Sequence, residues 1–282
     1  MSTWHSLEEV VVGRSVRLER HGRGVWRLVL SRPQARNALS AEMIAELGSA
    51  LGVLEEQLPE ALRLVVLEGD GDALCAGADV AHMRTQAAAE PAENLADARS
   101  LAKVFRRLAA LPVPVLAALR GAAMGGGLGL VACCDLVVAE ESAVLGLPEV
   151  RLGLLPALVG PYLVRKLGVG HTSSLALSGR RISAREALAI GLVHRVVPPA
   201  RIDIALTEAV ADLLLGGPQA QRRAKALLLD LAPLPGLETE ELTVREIAMA
   251  RASDEGRAGL EAFLDKRPAP WVPPIKRTRD GR

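Results

Sequence analysis

The sequence predicts an α/β fold that ends in helices alone. Short apolar runs at 25–30, 62–67, 113–119, 136–139 and 193–197, bounded by Gly, Pro or charge, have the length and content of buried strands. Between them, apolar residues recur at three- to four-residue intervals, the signature of a helix with one buried face. Beyond residue 201 the strand pattern stops and only helical periodicity remains. Alternating strand and helix gives an α/β domain.

Taken in order, the first strand at 25–30 is followed by Ser40, a candidate N-cap, and then by Met43/Ile44, Leu47, Ala50/Leu51, Leu54 and Leu58 on one helical face. A second helix shows Leu95, Ala98, Leu101/Ala102, Phe105 and Leu108/Ala109. Ser183-Ala-Arg-Glu186 has the form of a capping box ahead of a short helix stopped by Gly191, and the strand 193–197 follows at once. Four helices are expected at 202–215, 219–231, 238–250 and 253–266, separated by Gly216-Gly-Pro218 and Pro233-Leu-Pro-Gly236. The expected division is therefore an α/β domain over 1–200, a helical region over 201–267, and a proline-rich tail over 268–282, extended or disordered.

Composition narrows the function. Thirty-four Lys and Arg against 33 Asp and Glu leave a charge of +1, which offers no general attraction to nucleic acid or to an anionic membrane. Only Trp4, Trp26, Phe105, Tyr162, Phe263 and Trp271 are aromatic, too few for base-stacking platforms. The longest uncharged apolar stretches, 121–134 and 152–164, fall short of the roughly 18 residues of a membrane span, so a soluble chain is expected. Cys75, Cys133 and Cys134 make no CxxC pair, and the acidic start lacks the pattern of a signal peptide, which together point to the cytoplasm. His5, His21, His82, His171 and His194 are scattered singly, as surface or packing residues, and suggest no metal. GxSxG and P-loop signatures are missing.

What stands out is glycine directly after strands. The 62–67 run leads into Gly69, Gly71 and Gly77-Ala78-Asp79, and the 113–119 run leads into Gly121 and the triplet Gly125-Gly126-Gly127. Both loops lie where helices should begin, and exposed N–H groups there favour a negative charge. Brought together they would form an oxyanion hole; taken singly, each is equally a tight strand-to-helix turn. A rival for the second loop is a dinucleotide fingerprint, since Gly127-Leu-Gly129-Leu-Val-Ala132 fits GxGxxA with Glu149 some 20 residues on. Against it, a strand restarts at 136, leaving a helix of only about two turns, too short for the usual crossover.

Six motifs in order resemble the crotonase (enoyl-CoA hydratase/isomerase) superfamily, from about residue 16 to 266. Ser31-Arg-Pro-Gln-Ala-Arg-Asn37-Ala-Leu is similar to NRPxxxNAL, Cys75-Ala-Gly-Ala-Asp-Val80 to FxAGAD, and Gly121-Ala-Ala-Met-Gly-Gly-Gly127 to GxAxGGG. Leu147-Pro-Glu149-Val-Arg-Leu-Gly153-Leu-Leu-Pro156 resembles PExxLGxxP, and 186–193 and 255–267 resemble two C-terminal signatures. The resemblance implies a crotonase-like spiral of ββα units with a helical C-terminal oligomerisation region. It also implies an acyl-coenzyme A substrate, no separate cofactor, and a homotrimer or homohexamer. The matching positions make Ala78 and Gly126 the donors to the thioester oxygen, put Ala35, Arg36, Ala76, Asp79 and Val80 along the coenzyme A site, and add Phe263 and Lys266 from the C terminus, in related oligomers often from a neighbouring subunit.

One departure bears on the reaction. Hydratases of the family hold water between two glutamates; Glu149 matches the second, but Gly129 stands at the first. Ala157 occupies the place where some hydrolytic members carry an extra acid. The run 152–165 is similar to hydratases of branched acyl groups such as methylglutaconyl-CoA, which tilts the expectation to hydration. Double-bond isomerisation, decarboxylation and non-catalytic acyl-CoA binding remain as alternatives. The acyl pocket is expected to be lined by apolar side chains such as Met83, Met124 and Leu147.

Overall fold

The computed structural model describes residues 6–58, 61–232 and 236–272. Its elements run β1 (Ser6–Val11), β2 (Val16–His21), β3 (Val25–Leu30), α1 (Ala41–Glu56), β4 (Leu64–Gly69), α2 (Val80–Ala87), α3 (Pro91–Ala110), β5 (Val115–Leu119), β6 (Ala122–Met124), α4 (Gly126–Cys133), β7 (Leu136–Glu140) and β8 (Val144–Gly146). There follow α5 (Gly160–Ser178), β9 (Arg181–Ser183), α6 (Ala184–Ala189), β10 (Arg195–Val197), α7 (Ile202–Leu215), α8 (Pro218–Leu231), α9 (Leu237–Ala252) and α10 (Asp254–Leu264).

The larger sheet has the order β1-β2-β3-β4-β5-β7-β10, antiparallel through β3 and parallel from β3 onward. A smaller sheet, β6-β8-β9, lies beside it. After β5 and again after β7 the chain bends and lays a second short strand, β6 or β8, in the smaller sheet, so successive turns add one strand to each layer. Two isolated parallel bridges, Leu39 to Ala78 and Cys75 to Ala123, extend that second layer through earlier turns of the chain.

Both faces of the larger sheet are covered, which is why its strands read as continuous apolar runs. Trp26, Leu28, Val65, Leu67, Val115, Ala117 and Val137 face one core with α1, α3, α4 and α5. The alternate residues Val25, Leu64, Val66, Leu116, Ala118 and Val138 face a second core, closed by Ile202, Ala205, Leu206 and Val210 of α7. Ser40 caps α1 by accepting from Met43 N at 3.2 Å, and Ser183 caps α6 from Glu186 N at 3.2 Å.

Several elements differ from expectation. β4, β5 and β10 begin two residues later than the apolar runs that announce them. β2 is a strand that charge conceals: Val16 and Leu18 are fully buried between Arg17 and Glu19. α5 was not expected, because its glycines interrupt the pattern; Gly168 at φ +73 breaks the helix from within. At the tail, Val272 N bonds Ala269 O at 2.9 Å and Trp271 packs on Gly259, while 273–282 lie outside the described residues.

Candidate active site

The first glycine loop presents one N–H outward for a reason of register. In the bridge between Leu39 and Ala78 both hydrogen bonds belong to Leu39: its N–H donates to Gly77 O at 2.7 Å, and its carbonyl accepts from Asp79 N at 3.0 Å. The N–H of Ala78 therefore points to the other side, and no acceptor among the described residues takes it.

The second loop is held against the first by Cys75, whose N–H donates to Ala122 O and whose carbonyl accepts from Met124 N, each at 3.0 Å. Gly125 turns the chain at φ +50 and donates to Gly146 O at 2.9 Å, after which α4 starts at Gly126. As the first residue of the helix, Gly126 has no intrahelical acceptor for its N–H. The close approach requires glycine, since a Cβ on Gly127 would sit 2.5 Å from the carbonyl oxygen of Cys75. Ala78 and Gly126 consequently line one cleft, together with Glu149, Leu101, Leu154 and Val159.

Asn37 locks the early loop onto this layer. It is fully buried, adopts φ +54, donates through Nδ2 to Asp70 O (2.9 Å) and Ala73 O (2.8 Å), and accepts from Arg32 N at 2.8 Å. Asparagine tolerates the left-handed backbone and satisfies the facing carbonyls with one amide.

Glu149 opens a single 3-10 turn, Glu149–Leu152, closed by Gly153 at φ +68. The residue is half-buried, but its Oε2 is sealed from solvent and has no partner among the described residues. Burial pushes its carboxyl up to about 7, only partly offset by a hydrogen bond from its own backbone. A Cβ built on Gly125 would lie 3.1 Å from Glu149 Oε1, so the acid stands directly beside the second loop.

The space beside Gly129, where the family resemblance expects a glutamate, is filled. A Cβ on Gly129 would meet Phe105 Cζ at 2.7 Å and Val159 Cγ2 at 3.0 Å, and Tyr162 packs edge-on against the Phe105 ring with centroids 5.9 Å apart. Apolar packing occupies this wall where a second carboxylate would need room.

Other expected residues lie around the cleft instead of in it. Ala76 N donates to Arg36 O at 2.9 Å, which brings Ala35, Arg36 and Ala76 together on the flank of the first loop. The Asp79 carboxylate is engaged, capping α2 through Ala81 N and His82 N and pairing with Arg32 Nη2 at 3.1 Å; Val80 beside it is exposed. Phe263 and Lys266 are exposed, on and just after α10. That helix packs on α2 and on the Glu149 turn of its own chain, where Gly153 and Gly259 permit backbone contact. Of the expected pocket residues, Met83 lines the cleft, whereas Leu147 and Met124 do not. Leu147 is fully buried in the main core and Met124 packs on Gly146, so Leu154, Leu155, Pro156 and Leu158 supply the apolar wall in their place.

Three polar cleft residues escape the sequence reasoning: His82, Asp97 and Arg251, from α2, α3 and α9. His82 lies one helical turn beyond Ala78, a proximity legible in the sequence; Asp97 and Arg251 are 15 and 169 residues further along the chain.

Over residues 20–273 the chain matches the family model described as Enoyl-CoA hydratase/isomerase. A Thermus thermophilus protein described as a candidate enoyl-CoA hydratase is 40% identical over 85% of this chain and 94% of its own length. A crotonyl-CoA hydratase of Syntrophomonas wolfei is 34% identical over 87% and 93%. Among solved structures, an enoyl-CoA hydratase from Mycobacterium avium superposes with a TM-score of 0.79 at 32% identity, covering 92% of this chain and all of the other.

Proposed function

The chain belongs to the enoyl-CoA hydratase/isomerase family and shares the fold of its solved members, and on that premise we propose that it is a hydro-lyase adding water across the α,β-double bond of an enoyl-CoA thioester. The observation that carries this is the convergence of two N–H groups, Ala78 and Gly126, that find no acceptor among the described residues, with the carboxyl of Glu149 on one cleft. Negative charge that develops on the thioester oxygen is met by the two N–H donors, each typically contributing about 3–4 kcal/mol at the transition state. Glu149, lifted towards neutrality by its burial, can hold a proton for C2 or receive one from it. Coenzyme A is part of the substrate and runs along Ala35, Arg36, Ala76, Asp79 and Val80, with Phe263 and Lys266 at its far end; no separate cofactor is required.

Phe105 in the place of the first glutamate favours a second reading, a Δ3-Δ2 enoyl-CoA isomerase, because a lone carboxylate can carry one proton between two carbons. Products from straight, branched and dicarboxylic enoyl-CoAs in deuterated water separate the two. Hydration gives a 3-hydroxyacyl-CoA with deuterium at C2, seen by mass spectrometry; isomerisation gives a shifted double bond and no added oxygen. A panel yielding only isomers would overturn the hydratase proposal.

A homotrimer or homohexamer fits the surface. α8 turns Arg222 and Lys225 inward, but its Leu227, Leu228 and Leu231 are 58, 62 and 74% exposed, and Leu215 of α7 and Leu237 of α9 are exposed in large part. Such a patch marks an interaction surface. Light scattering is expected to give at least three times the 29.8 kDa chain mass; a stable monomer at micromolar concentration would refute the oligomer.

A further inference from the structure

The cleft contains a polar constellation that the Glu149 mechanism leaves unused. His82 Nε2 lies 2.8 Å from Asp97 Oδ1, and Arg251 Nη1 donates to Asp97 Oδ2 at 2.9 Å and to Asn94 Oδ1 at 3.1 Å. His82 and Asp97 keep only 11% of their side-chain surface exposed, and Arg251 keeps 15%. Burial pushes the Asp97 carboxyl up, but the hydrogen bond from His82 and the charge of Arg251 outweigh it and hold the acid below the usual carboxylate range. An ionised carboxylate only accepts, so the ring nitrogen facing it, Nε2, carries the hydrogen. In the neutral imidazole Nδ1 is then left with a free lone pair. No group among the described residues bonds Nδ1, and the atom is not sealed from solvent.

We propose that His82, oriented by Asp97, is the second acid/base of this active site and takes the place of the carboxylate that Gly129 lacks. The inference rests on the hydratase reading and supplies the water-activating group it needs. The placement favours the role: His82 is in the first turn of α2, its own N–H capped by Asp79 at 3.2 Å, only four residues beyond the Ala78 N–H that meets the thioester oxygen. The opposite candidate wall is closed by Phe105 and Val159. In hydration, Nδ1 of His82 takes one proton from water and the oxygen bonds to C3. The C2=C3 electron pair moves towards the thioester, whose oxygen charge rests on Ala78 and Gly126. C2 then takes the proton held by Glu149. One water has been added; His82 ends protonated and Glu149 ionised, and exchange with solvent resets both. Asp97 is a positioning residue, and Arg251 with Asn94 holds it.

The test uses the whole 282-residue chain, with crotonyl-CoA for hydration and butyryl-CoA for deuterium exchange at C2. Exchange needs Glu149 and the two N–H donors but no activated water. His82→Gln preserves a donor towards Asp97 and removes the base, so kcat for hydration falls by about 10²–10³ while KM stays within about twofold and butyryl-CoA exchange within about threefold of the parent. In His82→Ala, added imidazole restores hydration by about tenfold or more. Undiminished hydration by His82→Gln overturns the proposal, as does a parallel fall in hydration and exchange, which would mark the cluster as a structural ion network. If the parent chain exchanges C2 protons yet hydrates no enoyl-CoA, the hydratase reading itself fails, a result independent of any His82 variant.

Discussion

Replacing Glu149 by Gln is expected to lower kcat by about 10²–10⁴ while leaving acyl-CoA affinity little changed. The amide preserves size and the turn closed by Gly153, so the two N–H donors stay in place and only proton transfer to and from C2 is lost. The same substitution acts on stability with a definite sign. Glu149 titrates at about 7 when folded, against 4.5 for a free glutamate side chain. Between these values the folded chain holds a proton that the unfolded chain has released. The acid therefore favours folding below that window and weakens it as pH rises through 7, where a carboxylate whose Oε2 has no partner among the described residues must stay buried. Glu149→Gln removes that penalty, and the variant should gain on the order of 1–3 kcal/mol relative to the parent at pH 8 compared with pH 5. Denaturant unfolding at both pH values measures the difference. Equal effects at the two would mean that the carboxyl is not raised by burial, and unaltered turnover would remove Glu149 from the mechanism.

How far the site could be read in advance depends on whether local chain chemistry determines a feature. Residues 25–30 are β3 to the residue, and Ile202–Leu215 is α7 to the residue, because apolar run and helical period both end at clear punctuation. β6, β8 and β9 have three residues each, too short for any period, and exist because neighbouring turns of the chain supply their partners. That Gly129 stands where the resemblance expects a carboxylate is legible in the sequence, but the filling of its surroundings by Phe105 and Val159 is not, since α3, α4 and the turn before α5 converge there. The expectation that Leu147 faces the pocket failed for a similar reason: next to Glu149 in sequence, it is turned into the core by β8 while the 3-10 turn carries the acid out. By sequence alone His82 is a surface or packing residue, because its meaning comes from Asp97 and Arg251, which the fold alone brings into the same cluster.

Ala78→Pro tests the other half of the machinery, and the register makes it a clean test. Proline removes the amide hydrogen of residue 78 and places a ring carbon where it pointed. The Leu39 bridge survives, because its two bonds run from Leu39 N to Gly77 O and from Asp79 N to Leu39 O, neither involving the nitrogen of Ala78. Loss of one oxyanion donor costs about 10²–10³ in kcat, and the ring in the oxygen's place carries turnover to background. Ala78→Gly, which retains the N–H, is expected to keep most of the activity. Circular dichroism and thermal unfolding establish that both variants are folded. A folded Ala78→Pro with near-parental kcat would mean that the first glycine loop does not polarise the thioester. The fall of Ala78→Gly and Ala78→Pro together would mean that the loop acts through its conformation and not through that N–H.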